Sequence, residues 1–209
     1  MKSKGIAALM IAAGALGASA AQASAASTYV ASSSSITGTL GGGPAVFIDG
    51  NIVVKCTGST ATVSGLSTTT AALPATFSAP APVFSGCTAT VGGLPRSVTV
   101  STTGTWSGTL STTNYKGTIN PINSGATITV GTCVITVNSS AVDAEGRDAS
   151  NAVPALGSPA SYLTVNGIVN VSNGAGCPTN TTATYVADGS TVAGSVTGRY
   201  ALSGTITEN

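Results

Sequence analysis

The sequence predicts an all-β protein, either an antiparallel β-sandwich or a partly open barrel. Short runs rich in Val, Ile, Thr, Tyr and Phe recur between the turn-forming residues Gly, Pro, Asn and Ser, which is typical of these folds. Several runs alternate apolar and hydroxyl side chains; in residues 97–101 the two valines face one side. After the first two dozen residues, no window has the period of an amphipathic helix.

The first 23 residues have the three parts of a secretory signal peptide. Lys2 and Lys4 provide the positive start, residues 6–16 are largely apolar, and Ala21-Gln22-Ala23 is a small-x-small cleavage sequence. We expect cleavage after Ala23, with Ala25 as the alternative site. The apolar stretch is shorter than the roughly 20 residues of a membrane-spanning helix, so we expect no membrane span in the mature chain.

The mature chain is expected to form one domain, residues 41–209. We interpret the Ser/Thr-rich residues 24–40 as a flexible leader in preference to a strand donated to a neighbouring subunit. Similar cysteine positions suggest a weak duplication with halves 41–115 and 116–209; chance similarity is the open alternative, because the composition is biased. Each half has too few aromatic residues for a core of its own, so a single domain is favoured.

Strand candidates follow one another along this domain. In the clearest hairpin, residues 45–48 and 51–56 flank an Asp49-Gly50 turn, because Asp and Gly both tolerate the positive φ of a type I′ turn. The other candidates share β-branched or aromatic residues between turn signals and are residues 60–63, 76–84, 97–101, 105–111, 118–122, 127–130, 133–137, 163–171, 182–186 and 195–207.

The four cysteines are expected to form two disulfides, because an even number of cysteines in an exported chain is typical of oxidised pairs. Four cysteines allow three pairings. We favour Cys56 with Cys87 and Cys133 with Cys177, since each pair then lies within one of the two similar halves. A zinc site is disfavoured, because no two cysteines have C-x-x-C spacing and the chain has no histidine.

The composition argues against several functions. The 209 residues include 7 Lys or Arg, 6 Asp or Glu and no His, so a Ser-His or Cys-His nucleophile pair is excluded. A net charge near zero without a basic run argues against nucleic-acid binding. We predict no enzymatic activity and no cofactor. With 27 Ser and 33 Thr, the solvent faces of the strands are expected to carry hydroxyls instead of charges.

One interval, residues 143–160, departs from the strand pattern and is expected to be a long surface loop or a single helical turn. Its carboxylates Asp143, Glu145 and Asp148 could chelate Ca²⁺, but their spacing is not that of an EF-hand. Because Arg147 lies among them, a solvated loop with an internal ion pair is favoured. The same carboxylates are candidates for glycosidase chemistry, although no pattern predicts the apolar pocket that would raise a pKa.

Short motifs surround the cysteines, and two of them precede strands that carry an aromatic residue. They are Lys55-Cys56-Thr57, Phe84-Ser85-Gly86-Cys87-Thr88 followed by Gly93-Leu94-Pro95, the strand with Trp106, and Gly174-Ala175-Gly176-Cys177 before a Thr-Gly-x-Tyr strand. This arrangement resembles small exported Ser/Thr/Gly-rich bacterial proteins, similar to the alkane-oxidation activator (Pra-type) proteins of bacterial surfaces and biofilm matrix. The resemblance implies an extracellular, non-enzymatic, adhesive or matrix role and supplies no site residues.

Two functions are therefore considered, both for a secreted protein that is extracellular or on the cell surface, with the periplasm as an alternative location. We favour a structural or adhesive protein, because weakly charged, hydroxyl-rich strands leave edges open to self-association or to a cell-surface polymer. The alternative is a module that binds carbohydrate or another small ligand, which usually exposes a row of aromatic residues. Here the aromatic residues are expected in the core or in strand pairs: Trp106, Tyr29, Tyr115, Tyr162, Tyr185 and Tyr200.

Overall fold

The computed structural model describes residues 26–122, 125–138 and 140–209, and the expected signal peptide with both cleavage positions lies outside these ranges. The described residues form strands, turns and loops without any helix, and all of the strand pairs are antiparallel. The all-β prediction is confirmed. In the part of the chain that is described, no helix has the length and hydropathy to cross a membrane.

The strands of the described residues are numbered in chain order. They are β1 (Thr28–Ala31), β2 (Ser35–Gly41), β3 (Ala45–Asp49), β4 (Ile52–Ser64), β5 (Ala71–Ala72), β6 (Ala75–Pro80), β7 (Val83–Val91), β8 (Leu94–Arg96), β9 (Val98–Thr102), β10 (Thr105–Leu110), β11 (Lys116–Ile122), β12 (Ala126–Val130), β13 (Cys133–Val137), β14 (Val142–Arg147), β15 (Pro159–Asn173), β16 (Thr182–Ala187), β17 (Thr191–Val192), β18 (Ser195–Val196) and β19 (Arg199–Glu208).

Two long strands organise the pairing. β4 pairs with β2, β3, β6 and β7, and β15 pairs with β13, β14, β16 and β19. Strands from the beginning and the end of the chain are joined directly, because β3 pairs with β16 and β2 pairs with β19. On the other side, β6, β10, β11 and β14 follow one another from β4 to β15. Strands from the early and the late parts of the described chain therefore belong to the same network of paired strands.

The core consists of two apolar clusters of buried side chains. The larger lies between β3, β4 and β7 on one side and β12, β13 and β15 on the other, with Val54, Ile128 and Ile135 among its members. The smaller is built around Tyr29 and Ile36 from β1 and β2. Alternate residues of each strand point to these clusters, as the period of a β-strand requires. The candidate functional site lies within the larger cluster.

Both predicted disulfides are present. Cys56 and Cys87 are directly opposite each other on β4 and β7, with their Cα atoms 3.9 Å apart. Cys133 on β13 is joined to Cys177 in the loop after β15, with a Cα–Cα distance of 4.9 Å. Two disulfides are consistent with an oxidising, extracytoplasmic location.

The predicted hairpin around Asp49 is present, but its turn is displaced by one residue. Asp49 still belongs to β3 and pairs with Ile52, so the two turn residues are Gly50 and Asn51. Gly50 has φ of 58°, and glycine is the residue that adopts positive φ without strain. Asp49 stays in the strand because its carboxylate is buried and accepts hydrogen bonds from distant residues. The donors are Asn173, the last residue of β15, and Asn180 in the loop that follows.

The expectation of a flexible leader is wrong for the described part of residues 24–40. β1 pairs with β5 and β19, and β2 pairs with β4 and β19 of the same chain. The physical reason is a buried face, since Ile36 and Leu40 alternate with hydroxyl residues and are only 3% and 6% exposed. The expected domain boundary at residue 41 therefore falls at the end of β2.

The interval 143–160 is a loop only in its central part. Residues 143–147 belong to β14, residues 148–158 connect the strands, and β15 begins at Pro159. The alternation of β14 was hidden because its buried residues are small: Ala144 and Gly146 face inward, while Asp143 is exposed. Small residues that alternate with charged ones have the composition of a loop, although here they form a strand.

Candidate ligand-binding site

An apolar cavity of about 160 Å³ lies within the larger cluster. None of the described residues that line it is charged. Six of the nine aromatic residues of the protein line it, including all three phenylalanines and the single tryptophan: Phe47, Phe77, Phe84, Trp106, Tyr185 and Tyr200. Protein interiors normally have few voids larger than a water molecule, so a cavity of this size and composition is a candidate ligand-binding site.

The wall is assembled from strands that are far apart in sequence. Phe47 on β3 and Val54 on β4 are cross-strand partners, and their side chains face the same side. Ile128 on β12 and Val169 on β15 also line the cavity. The apolar residues at alternate positions provide these inward faces.

Gly108 allows an aromatic ring to form part of the wall. It lies opposite Phe77 in the pairing of β10 with β6, and a Cβ atom on Gly108 would overlap the Phe77 ring. An aromatic side chain lying across a strand glycine is a recurring way to cover the exposed backbone. Glycine at this position therefore lets the ring lie against β10, next to the cavity.

Trp106 lies on the neighbouring part of β10, opposite Ala79 of β6, and is partly buried. Its Nε1 atom is covered by protein and has no hydrogen-bond partner among the described residues. Pro80, another wall residue, is exposed at the surface, so the wall extends to the outside of the molecule. All nine aromatic residues are buried or partly buried, so they do not form the exposed row that is usual in a carbohydrate-binding module.

A chain of hydroxyl groups provides polar contacts next to the cavity. The Tyr185 and Tyr200 hydroxyls are 2.9 Å apart, and the Tyr200 hydroxyl donates to Ser59 Oγ over 3.1 Å. Burial raises the pKa of Tyr200 and raises that of Tyr185 well above its usual value. Phe84 packs edge-on against the Tyr185 ring, with 6.4 Å between the ring centroids. Both phenols are therefore neutral at physiological pH.

The three carboxylates considered for calcium or acid–base chemistry have separate environments. Asp143 is exposed, and Glu145 forms an ion pair with Arg147, as the sequence predicts. Asp148 accepts hydrogen bonds from Ser150 and from the backbone N–H of Ala152, which lower its pKa. Within the described ranges, no group of three or more His, Cys, Asp or Glu residues is placed to hold a metal ion. None of the three lines the cavity.

The outer face of the strands around the cavity has a different character. A row of directly paired residues crosses β15, β16, β3, β4, β7 and β8 and contains no charge: Ile168, Thr184, Ile48, Val53, Thr90 and Pro95. Ile168 is 67% exposed. Lys55, in the adjacent row, donates to the Ala193 carbonyl and to Ser195 Oγ, so its charge is held against the turn at residues 193–195. We call these six residues the outer row.

Sequence reasoning did not identify the cavity. It predicts Trp106 and the tyrosines in the core or in strand pairs, but it gives no reason for them to meet Phe47, Phe77 and Phe84 around one space. These residues are distributed from position 47 to position 200, and their convergence depends on which strands pair. No family model matches the chain, and neither a curated protein nor a solved structure matches it. The function must therefore be inferred from the molecule's own geometry.

Proposed function

We propose that the protein is an exported binding protein that holds one small apolar molecule in its cavity. The observation that carries the proposal is the uncharged cavity of about 160 Å³ with six aromatic residues in its wall. An apolar cavity of about 150 Å³ in a protein core stays dry and binds benzene. The space therefore suits a molecule with a single ring.

The apolar wall also favours an occupant. Water in contact with this wall finds few hydrogen-bonding partners, because the lining residues are almost wholly apolar. A ligand that displaces this water buries apolar surface, and that burial supplies binding free energy.

Two features support export. The two disulfides suit an oxidising compartment, and the N-terminal 23 residues have the charge and apolar pattern of a signal peptide. On this proposal the protein meets its ligand outside the cytoplasm.

The proposal is tested by titrating the protein with toluene. Because Trp106 is the only tryptophan and lies in the wall, a bound molecule should change its fluorescence in a saturable way. Calorimetry should give one site per chain. Absence of a saturable response in the wild-type protein both to toluene and to phenol, its hydroxyl analogue, would overturn the proposal.

Cavity-filling variants sharpen this test. Ala126→Leu and Ala61→Leu place larger side chains on two strands of the wall, and each should abolish toluene binding while circular dichroism stays native. The matched control is Val171→Ala, in the same apolar cluster but not in the wall, which should lose stability and keep toluene affinity. Unchanged binding in both filled variants would place toluene elsewhere and contradict the proposal.

A second candidate function, a structural or adhesive role at the cell surface or in the matrix, is favoured by the outer row. This row crosses six strands without any of the charges that normally discourage association. If this role is correct, the oxidised protein should self-associate or sediment with cells at low micromolar concentration. Ile168→Lys should reduce this association several-fold, whereas Thr127→Lys, an exposed change on β12 outside the row, should not. Equal effects of the two changes would remove the support from the outer row.

A further inference from the structure

We infer that the molecule held in the cavity is a neutral, single-ring compound that donates a hydrogen bond, in the manner of a phenol, to the hydroxyl oxygen of Tyr185. This inference rests on the proposed function, because it specifies the chemistry of the ligand in the same cavity. It follows from an account of the protons and lone pairs in the cavity wall.

The direction of the hydroxyl chain is determined by the number of protons. The Tyr200 hydroxyl has one proton, which it donates to Ser59 Oγ. In the 2.9 Å contact between the two tyrosines, the donor must therefore be Tyr185. The Tyr185 oxygen has then given away its only proton and retains a lone pair, and it receives no hydrogen bond from the residues that the structure describes. A ligand group that meets this oxygen has to be a donor.

The position of Tyr185 makes this lone pair relevant to a ligand. Its side chain lines the cavity and keeps part of its surface accessible. Separation from bulk water is nevertheless the main cause of its raised pKa. On this inference the accessible part of the side chain faces the cavity, where a bound molecule replaces water as the partner of the oxygen.

The other polar groups of the wall do not change this conclusion. Ser140 Oγ donates its proton to the Asn138 carbonyl and accepts a hydrogen bond from the Asn170 N–H, so it has no proton left to offer a ligand. Ser107 Oγ donates to the Asn120 carbonyl, which also leaves only lone pairs. Trp106 Nε1 has no partner, but protein atoms cover it, so a ligand could reach it only if the ring moved.

The same wall selects for a neutral ligand. The lining residues within the described part of the chain are all uncharged, and an ion placed there would lose hydration without gaining a counter-charge from them. A phenolate or an ammonium compound is therefore excluded by the desolvation cost. A neutral hydroxyl on a single ring satisfies the Tyr185 oxygen and leaves the rest of the molecule in apolar contact.

The test compares phenol with toluene, which have the same size and shape and differ in the hydroxyl donor. Dissociation constants are measured by calorimetry at neutral pH for the wild-type protein and for Tyr185→Phe. The ratio of phenol affinity to toluene affinity should fall about fivefold in Tyr185→Phe, the usual net effect of one hydrogen bond. The ratio is used because a general loss of packing affects both compounds alike.

Tyr200→Phe provides a gain of binding that disturbed packing would not produce. Without Tyr200 as acceptor, the Tyr185 proton is free, so the site can also donate. The affinity of benzaldehyde relative to styrene, its isostere without an acceptor, should then rise about fivefold over the wild-type ratio.

The outcomes separate the two proposals. If neither toluene nor phenol binds the wild-type protein, the proposed function fails and this inference fails with it. If toluene binds and the phenol-to-toluene ratio is the same in the wild type and in Tyr185→Phe, the cavity function stands and this inference is overturned. A reduced ratio in Tyr185→Phe supports both, and a raised benzaldehyde-to-styrene ratio in Tyr200→Phe supports the deduced direction of the hydroxyl chain.

Discussion

Asp49 and Glu208 are both completely buried carboxylates, yet their surroundings differ. Asp49, at the end of β3, accepts hydrogen bonds from the side-chain amides of Asn173 at 2.7 Å and Asn180 at 2.8 Å. Glu208, near the end of β19, accepts one from the backbone N–H of Tyr115 at 2.6 Å, and its Oε1 atom has no partner among the described residues. One carboxylate is fully bonded and the other is half bonded.

Burial alone therefore does not determine the role of a carboxylate. Asp49 connects the β3–β4 turn to the loop that carries Cys177, because its partners Asn173 and Asn180 flank that loop. Glu208 borders a second, smaller cavity of about 70 Å³, and loss of hydration there raises the pKa of its carboxyl group. We therefore expect Asp49 to stabilise the fold strongly and Glu208 to make stability depend on pH.

The largest effect is expected from Asp49→Ala. Removal of this carboxylate leaves the Asn180 amide without an acceptor and deletes one acceptor of Asn173. The free energy of unfolding should fall by about 2–4 kcal/mol, as measured by urea denaturation. Asp143→Ala, an exposed carboxylate on β14, is the control and should change stability by less than about 0.5 kcal/mol. Equal losses in the two variants would contradict the anchoring role of Asp49.

Replacing each carboxylate with its isosteric amide should give a smaller difference in stability between the two sites. Asp49→Asn replaces one acceptor oxygen with an NH₂ group that faces another amide donor, so a loss of about 1–2 kcal/mol is expected. Glu208→Gln keeps an oxygen for the Tyr115 N–H and places an uncharged group where Oε1 has no partner. Its stability at neutral pH should equal or exceed that of the wild type. Thermal denaturation of both variants tests the comparison, and a larger loss for Glu208→Gln would reverse our interpretation.

The smallest effect concerns pH. The pKa of Glu208 is raised in the folded state, so folded Glu208 binds a proton more tightly than unfolded Glu208 does. This tighter proton binding adds to the free energy of unfolding. The added stability is complete below the unfolded pKa near 4.5 and is lost as pH rises through the folded pKa. The wild-type protein should therefore lose stability relative to Glu208→Gln over this interval. A difference between the two proteins that is constant with pH would show that Glu208 does not titrate in this way.

Much of the local structure could be predicted because the signals are local. The valines of residues 97–101 alternate with hydroxyls, and β9 forms there at Val98–Thr102. β13 begins and ends at the predicted residues, Cys133 and Val137. Prediction failed in β14, where Ala144 and Gly146 give too weak an apolar signal, and in residues 24–40, where Ile36 and Leu40 needed a partner strand to become buried.

The candidate site could be predicted only in part. Trp106 lies in a strand pair, one of the two positions expected for it, but the importance of Asp49 was hidden by its typical role as a turn residue. Its partners Asn173 and Asn180 are more than 120 residues away, and only the pairing of β3 with β16 brings the two regions together. Single residue types carry no information about such distant contacts.

Strands with apolar inner faces and hydroxyl-rich outer faces could be read from the sequence alone, because both properties follow from the period of an extended backbone. Its four cysteines also carried enough positional information for the correct pairing. The meeting of Phe47 and Tyr200 around one cavity, and the contact between the Tyr185 and Tyr200 hydroxyls, are visible only in the folded molecule. Those properties depend on strand order and register, which are determined by packing across the whole chain.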